Sequence, residues 1–576
     1  MYRWILMALA AVPLFVTLER PFSVPNLLWW TTDALEKVRP YDQAPKELNR
    51  AVNISAARNE FEPFQIVLRM QASDIHGVDV DITDLSGPAG AAISKNYITP
   101  YLERFLDLKM PSSIDGGAGE WPDPLVPRVD RYTHERRNAF PFDLTKDRNQ
   151  PLWFDVYVPP ATPPGIYQGQ VHILISGKVG ISIPLRLEVW NFTLPSTSSL
   201  PTAFGFGGLN ALRQHFGKYT NDKDLFDMTS MYEKAGLWHR ITFDGSSGVQ
   251  PAVSASGGKV RINWEEYDKQ VEPFLDGQVF TRSEPLYGAK TTSIAQHTLP
   301  LLKGGDEQIQ YWRQVAEHFK QKGWIDRLFN YLWDEPNKHE FNQMAVLGKL
   351  VHQADPKVYN LVTAPLHPDW SDFVDIWTPV INCFERKPQQ RDYCEMTVPR
   401  AGYDYEIARG KKLWWYQACS SHGCNIVGGQ YFRGWPSYVI DADAVRNRIM
   451  EWLTWKYGIE GELYFNTDEA YGKKDPWKDV NLFGGNGDGT LFYPGAPQVI
   501  GGTSHIPIES IRLKLIREGL EDYEYLVMIS KLGQSKMAHE LVNGLIHNIY
   551  DFDHDPQKLY GIRASIGRQL NKLGTQ

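Results

Sequence analysis

The hydrophobic period of this chain changes once, across Leu194-Pro195-Ser196-Thr197-Ser198-Ser199-Leu200-Pro201. Before that segment, apolar residues recur at every second position. Leu152, Phe154, Val156 and Val158 form one set, Val171, Ile173 and Ile175 another, and Leu185, Leu187 and Val189 a third. Period two marks a strand with one buried face. Pro and Gly punctuate the runs, as at Pro163-Pro164-Gly165. An antiparallel β-sandwich is therefore expected over residues 25–195.

After the segment, short apolar runs alternate with helical patterns. The runs are Ala203 to Gly207, Ile241 to Asp244, Ser293 to Gln296, Leu328 to Trp333, Leu361 to Ala364, Ile376 to Asn382, Leu413 to Ala418 and Glu462 to Asn466. Ile309, Trp312, Ala316 and Phe319 carry one helical pattern, and Val445, Ile449, Trp452 and Leu453 another. Strands separated by helices require a parallel sheet, and a (β/α)8 TIM-like barrel is expected over 200–530. The polar, Pro-flanked segment between the two units reads as a linker. From Pro507 onward, Ile508, Ile511, Leu515 and Leu526 lie among charges in a helical pattern. This predicts the barrel's last helix and a helical C-terminal extension over 531–576. Arg512, Arg517, Glu518 and Asp522 fall at helical spacing, which suits an ion-pair lattice fixing the tail to the barrel.

The net charge of -8 and the lack of any basic run argue against a nucleic-acid partner. Met1-Tyr2-Arg3 precedes an apolar run from Trp4 to Val16. That run is short for a membrane span and shaped like a secretory signal. Leu18-Glu19-Arg20-Pro21 is a poor cleavage site, so residues 1–22 are read as a signal peptide or an uncleaved anchor. Membrane contact is expected only through that anchor, and the protein is expected to be secreted, periplasmic or at the cell surface. An exported chain can pair its cysteines locally as Cys383–Cys394 and Cys419–Cys424; other pairings and free buried thiols stand beside that reading. Neither spacing has the tight two-pair pattern with His partners of a zinc site, and no metal or cofactor is expected. Asn486-Gly487-Asp488-Gly489 lacks the later bidentate Glu of a calcium loop and reads as a turn.

The chemistry points to Tyr331-Leu332-Trp333-Asp334-Glu335-Pro336-Asn337. Pro336 ends the apolar strand, and Asn337 can cap a following helix. Asp334 and Glu335 then sit together at the C-terminal end of the fourth strand, where barrel enzymes collect catalytic groups. The plain alternative is a surface turn with two solvated acids. A carboxylate pair is the equipment of most glycosidases, which in the retaining class flank the sugar about 5 Å apart. Neighbours on one strand end cannot easily straddle a ring. They suit substrate assistance, in which the sugar's own 2-acetamido oxygen attacks the anomeric carbon. Asp334 would orient the acetamide and stabilise its charge. Glu335 would protonate the leaving oxygen and then deprotonate water. A rival scheme takes Asp334-Glu335-Pro336 as a variant of Asn-Glu-Pro, with a Glu nucleophile on strand seven. Leu413-Trp414-Trp415-Tyr416-Gln417-Ala418-Cys419-Ser420 carries no acid.

Further candidates rest on position. Trp415 and Tyr416, at the end of strand seven, could wall the sugar, hold the acetamide or serve as core aromatics, and Trp333 reads as core or wall. Asn466, Asp468 and Glu469 end strand eight and could meet hydroxyls or line a solvated loop. His297, after strand three, could hydrogen-bond a hydroxyl, though a structural His fits as well.

The Asp-Glu pair resembles that of glycoside hydrolase family 123. So do Gly487-Asp488-Gly489-Thr490-Leu491-Phe492-Tyr493-Pro494-Gly495, the stretch from Ser510 to Tyr525, and Ala57-Arg58-Asn59-Glu60-Phe61-Glu62-Pro63-Phe64-Gln65. The resemblance implies an exo-acting, retaining β-N-acetylgalactosaminidase that works by substrate assistance. The family's catalytic pair falls on Asp334 and Glu335, and the implied partner is a glycan ending in N-acetylhexosamine. Two other functions fit the same fold: a retaining glycosidase for a sugar without the acetamide, and a non-catalytic cell-surface carbohydrate-binding protein.

Overall fold

The computed structural model describes residues 24–245, 250–388, 394, 396–424 and 429–574. The segment read as a signal or anchor lies outside the described residues. Among the described residues, no helix is long and apolar enough to cross a membrane.

The N-terminal unit consists of two facing sheets. One runs Leu27–Thr32, Glu60–Met70, Asn149–Val158, Ile98–Leu108 and Gly119–Pro127; the other runs Val52–Arg58, Lys178–Thr193, Gly165–Ile175, Ile75–Ile82 and Phe142–Leu144. Their alternating apolar positions meet in one core. Phe64, Ile66, Leu152, Phe154 and Val156 come from the first sheet, and Val171, Ile173, Leu185 and Leu187 from the second. Phe64 and Phe154 stack with ring centroids 4.8 Å apart. The expected antiparallel pairing needs one correction, because Val52–Arg58 runs parallel to Lys178–Thr193.

The first sheet does not end with N-terminal residues. Ile506–Ser510 pairs antiparallel with Gly119–Pro127, and Phe492–Gly495 pairs with Ile506–Ser510. Ile508 is therefore in a strand and not in the tail helix as expected. Ser510 caps the helix Ile511–Ile529 by accepting from Leu513 N at 3.1 Å. The two units thus share a sheet across the expected boundary.

The second unit is built on parallel pairings in chain order. Ile294–Gln296, Leu328–Trp333, Tyr359–Val362, Ile376–Trp377 and Lys412–Leu413 form one parallel sheet. Thr202–Phe204, Glu462–Tyr464 and Trp415–Tyr416 form another. The two sets join at both ends. Val380 bridges Tyr416 in parallel, Phe204 bridges Phe243 in parallel, and Ala295 N donates to Asp244 O at 2.6 Å. Ala203, Ala295, Phe329, Leu361, Ile376, Trp414, Tyr416 and Leu463 from these segments pack together inside the circuit. Helices Gly305–Lys322, Phe341–Ala354, Met450–Lys456 and Ile511–Ile529 intervene or follow. Between Tyr359–Val362 and Ile376–Trp377 lies only a short 3-10 turn, Pro368–Trp370.

The expected ion-pair lattice exists, but it reaches into the sandwich as much as into the second unit. Arg512 forms a bidentate pair with Asp123, and Arg517 with Asp155, all buried. On the other side Asp522 pairs with Arg448. The C-terminal helix Pro556–Leu573 also rests on the sandwich and not on the second unit alone. A Cβ on Gly567 would meet the Trp190 ring at 2.2 Å, so only glycine allows that approach. Both local disulfides are present, Cys383–Cys394 and Cys419–Cys424, with Cα separations of 5.4 and 5.0 Å.

Candidate active site

Leu328–Trp333 delivers the acid pair to the rim. Phe329 and Tyr331 face the interior of the circuit, and the pairing register shifts between Tyr331 and Trp333. Asp334 and Glu335 follow, both exposed. An extended chain sends neighbouring side chains to opposite faces. Here Glu335 takes φ +44°, a left-handed backbone that costs a non-glycine residue about 1–3 kcal/mol. Its amide is held by Thr363 Oγ1 at 2.7 Å. The turn breaks the alternation, and both carboxylates contact groups on the same rim. Pro336 ends the strand as expected, but Asn337 caps only a turn, accepting from His339 N; the helix begins at Phe341.

Asp334 Oδ1 accepts from Thr363 Oγ1 at 2.8 Å and from the Tyr331 hydroxyl at 3.0 Å. Both contacts fall on one oxygen, which leaves Oδ2 to meet a substrate. Glu335 Oε1 accepts from the Tyr416 hydroxyl. Burial, with the adjoining Asp334 charge, pushes the Tyr331 phenol well above its usual range. Burial and Glu335 do the same to Tyr416. Both phenols therefore stay protonated and act as donors. The His297 ring lies 6.1 Å from the Tyr331 ring. Burial lowers the His297 pKa against the opposing pull of Asp244, and its buried Nε2 has no hydrogen-bond partner among the described residues.

Thus Asp334, Glu335, Tyr416 and His297 gather at one rim. Trp415 does not join them: it is fully buried, and its indole N–H donates to Thr454 Oγ1 at 3.0 Å. As Tyr416's neighbour on a strand, it points to the helical layer, which corrects the expectation of a sugar wall. Trp333 is half-buried against the large core that contains Leu332 and Val362. Asn466 is engaged within its own loop, accepting from Thr467 N and Asp468 N and donating to Glu469 at 2.6 Å. Asp468 is buried; it accepts from Gly207 N at 3.0 Å, and burial raises its pKa to about 8. The sequence reading missed Thr363 and Tyr331. Thr363 closes an apolar run at a strand end, and Tyr331 lies at the inward period of its strand; both signals were present.

A parallel circuit bearing a carboxylate pair on its C-terminal rim, behind a sandwich, is an arrangement suited to a glycoside hydrolase. The catalytic-domain model of glycoside hydrolase family 123 matches residues 307–529, and the family's N-terminal-domain model matches 30–175. The chain belongs to glycoside hydrolase family 123. Among solved structures it is similar to a family 123 glycoside hydrolase from Clostridium perfringens studied for glycolipid glycan hydrolysis. The TM-score is 0.68 at 16% identity, over 96% of this chain and 98% of that one. At that identity the likeness speaks for the fold. A GH5 xyloglucanase from Bacteroides ovatus gives a TM-score of 0.28 at 9% identity, over 82% of this chain and 98% of that one, and carries no argument. No match was found among curated proteins.

Proposed function

We propose that this protein is an exo-acting β-N-acetylgalactosaminidase that retains anomeric configuration through substrate assistance. The parallel circuit is read as a (β/α)8 barrel, and the enzyme as acting outside the cytoplasm on a glycan ending in N-acetylhexosamine. The observation that carries the mechanism is the placing of Asp334 and Glu335 on one strand end, turned to one rim by the left-handed Glu335. Neighbouring carboxylates so placed cannot stand on opposite faces of a sugar ring, as a nucleophile and an acid must. The strand-seven rim offers Tyr416 where a direct double displacement would need a carboxylate.

In this reading the acetamide N–H meets Asp334 Oδ2. The acetamide oxygen attacks the anomeric carbon while Glu335 protonates the departing oxygen. An oxazolinium ion forms, its positive charge stabilised by Asp334. Glu335 then takes a proton from water, which opens the ring with net retention. Thr363 and Tyr331 fix Asp334, and Tyr416 fixes Glu335.

The test is hydrolysis of nitrophenyl β-N-acetylgalactosaminide beside the glucosamine and galactose analogues, with a thiazoline analogue as inhibitor. Turnover of the first, blocked by the thiazoline, supports both sugar and mechanism. Equal turnover of the plain galactoside would rule out assistance, and no turnover of any would exclude the proposed activity.

A further inference from the structure

The loop beyond Trp415–Tyr416 holds a cluster that the hydrolytic reading does not use. Cys419, His422 and Cys424 lie on one turn, and Asp488 arrives from the distant 486–489 loop. One donor atom from each lies within 4.8 Å of all the others. His422 Nε2 is 3.8 Å from Cys424 Sγ and 4.0 Å from Asp488 Oδ1. In a tetrahedral zinc site, sulfur, nitrogen and oxygen ligands stand about 3.3–3.8 Å apart, given their usual bond lengths. The nitrogen–sulfur separation is within a few tenths of an ångström of that figure, the nitrogen–oxygen separation is wider by roughly 0.6 Å, and the two sulfurs, bonded to each other in the disulfide, must part before both can bind a metal.

The surroundings are arranged as a metal's supporting residues are. His422 Nδ1 faces Gln417 Oε1 at 3.2 Å. A carbonyl oxygen only accepts, so Nδ1 carries the proton and Nε2 turns its lone pair to the cluster. Asp488 is fixed by Cys419 N at 2.9 Å and by the Tyr464 hydroxyl at 3.1 Å. Gly485 closes one side, since a Cβ there would lie 2.5 Å from Cys424 Sγ. The spacing Cys-x2-His-x-Cys lacks a second Cys pair, and Asp488 is remote in sequence. Spacing alone therefore could not disclose the set.

We propose that reduction of the Cys419–Cys424 bridge turns these four residues into a zinc site, with ligands Cys419, Cys424, His422 and Asp488. The disulfide and the metal are alternative occupants of one place. Reduction by a trialkylphosphine needs no other oxidant or reductant. Phosphorus attacks one sulfur and breaks the S–S bond, and water then yields two thiols and the phosphine oxide. Zinc displaces the two thiol protons as it binds.

The test uses the full-length protein, oxidised or phosphine-reduced, mixed with zinc, desalted and counted by elemental mass spectrometry. Cobalt in place of zinc reports thiolate ligation by charge-transfer absorption. The reduced protein should retain about one zinc per chain and the oxidised protein none. Cys419→Ser with Cys424→Ser, and separately His422→Ala, should abolish retention. Cys383→Ser with Cys394→Ser should leave it intact, and near-ultraviolet circular dichroism verifies the fold of each variant. Failure of the reduced protein to retain zinc overturns the proposal. So does equal retention in folded His422→Ala or in the folded Cys419/Cys424 variant.

Discussion

Tyr416 donates its hydroxyl to Glu335 from a strand end 81 positions further along the chain. The contact fixes one oxygen of the proposed acid/base and leaves the other for the glycosidic oxygen. Glu335→Gln cannot supply a proton. It should lower kcat/KM by about 10²–10⁴-fold on substrates with poor leaving groups, and much less on nitrophenyl or better ones. A leaving-group series measures this, and equal losses across the series would remove Glu335 from the acid role.

Tyr416→Phe keeps the ring in the interior and deletes only the donor. Its effect should fall on kcat, by about 10-fold, with KM little changed, because one charge-assisted hydrogen bond of about 1.5–3 kcal/mol orients Glu335. A rise in KM at constant kcat would instead make Tyr416 a substrate-binding group.

Asp334→Asn should slow good and poor leaving groups alike, since acetamide attack precedes or accompanies departure in both. A loss of about 10²–10³-fold is expected from removing charge stabilisation at the forming ring. Replacing the acetamide by trifluoroacetamide in the substrate should slow the wild type strongly. Unchanged turnover in Asp334→Asn would end its assigned role.

What could be read in advance followed from local chemistry. Period-two runs such as Leu152, Phe154 and Val156 placed the sandwich core, because burial on one face leaves that mark. The acid pair was visible because Pro336 and the apolar run ahead of it set a strand end. Trp415 and Tyr416 carry the same local signal, and only the strand's register decides that the phenol faces the rim while the indole is buried. Ile508 pairs with the nearby Tyr493, but it read as helical because the strand that draws this hairpin into the sandwich, at Leu125, lies almost four hundred residues earlier. Thr363 gained its meaning only when its strand was paired beside Trp333.

Glu462 sits at the base of its strand with Glu451, and the Tyr438 hydroxyl reaches both, at 2.6 and 3.3 Å. Burial raises the Glu462 pKa to about 7, against the Tyr438 hydrogen bond. The folded protein therefore keeps a proton that the unfolded chain releases near the ordinary carboxyl pKa of about 4.3. The associated stability is complete below that value and is lost as pH rises through about 7. Glu462→Gln should thus gain on the wild type in Tm between pH 5 and pH 8. Parallel Tm curves for the two proteins would contradict this titration.

Arg512 and Asp123 join the helix Ile511–Ile529 to the sandwich strand Gly119–Pro127, both with fully buried side chains. The guanidinium also donates to Tyr438 O, Gly487 O and Thr490 O, at 2.8, 2.8 and 2.6 Å. Arg512→Met would leave the Asp123 charge buried with the Tyr493 hydroxyl as its remaining side-chain donor. It would also strip three carbonyls of a donor. Breaking a buried pair from one side costs about 3–5 kcal/mol, far more than the net value of the pair. Asp123→Asn should cost less, because Arg512 keeps its carbonyl partners and the amide keeps an acceptor. Arg512→Met with Asp123→Leu should recover part of the loss, since no charge is then left unpaired. Urea unfolding followed by tryptophan fluorescence measures all three. If Arg512→Met cost under about 1 kcal/mol, the Arg512–Asp123 pair would add no more to the seam between sandwich and catalytic unit than an exposed pair does.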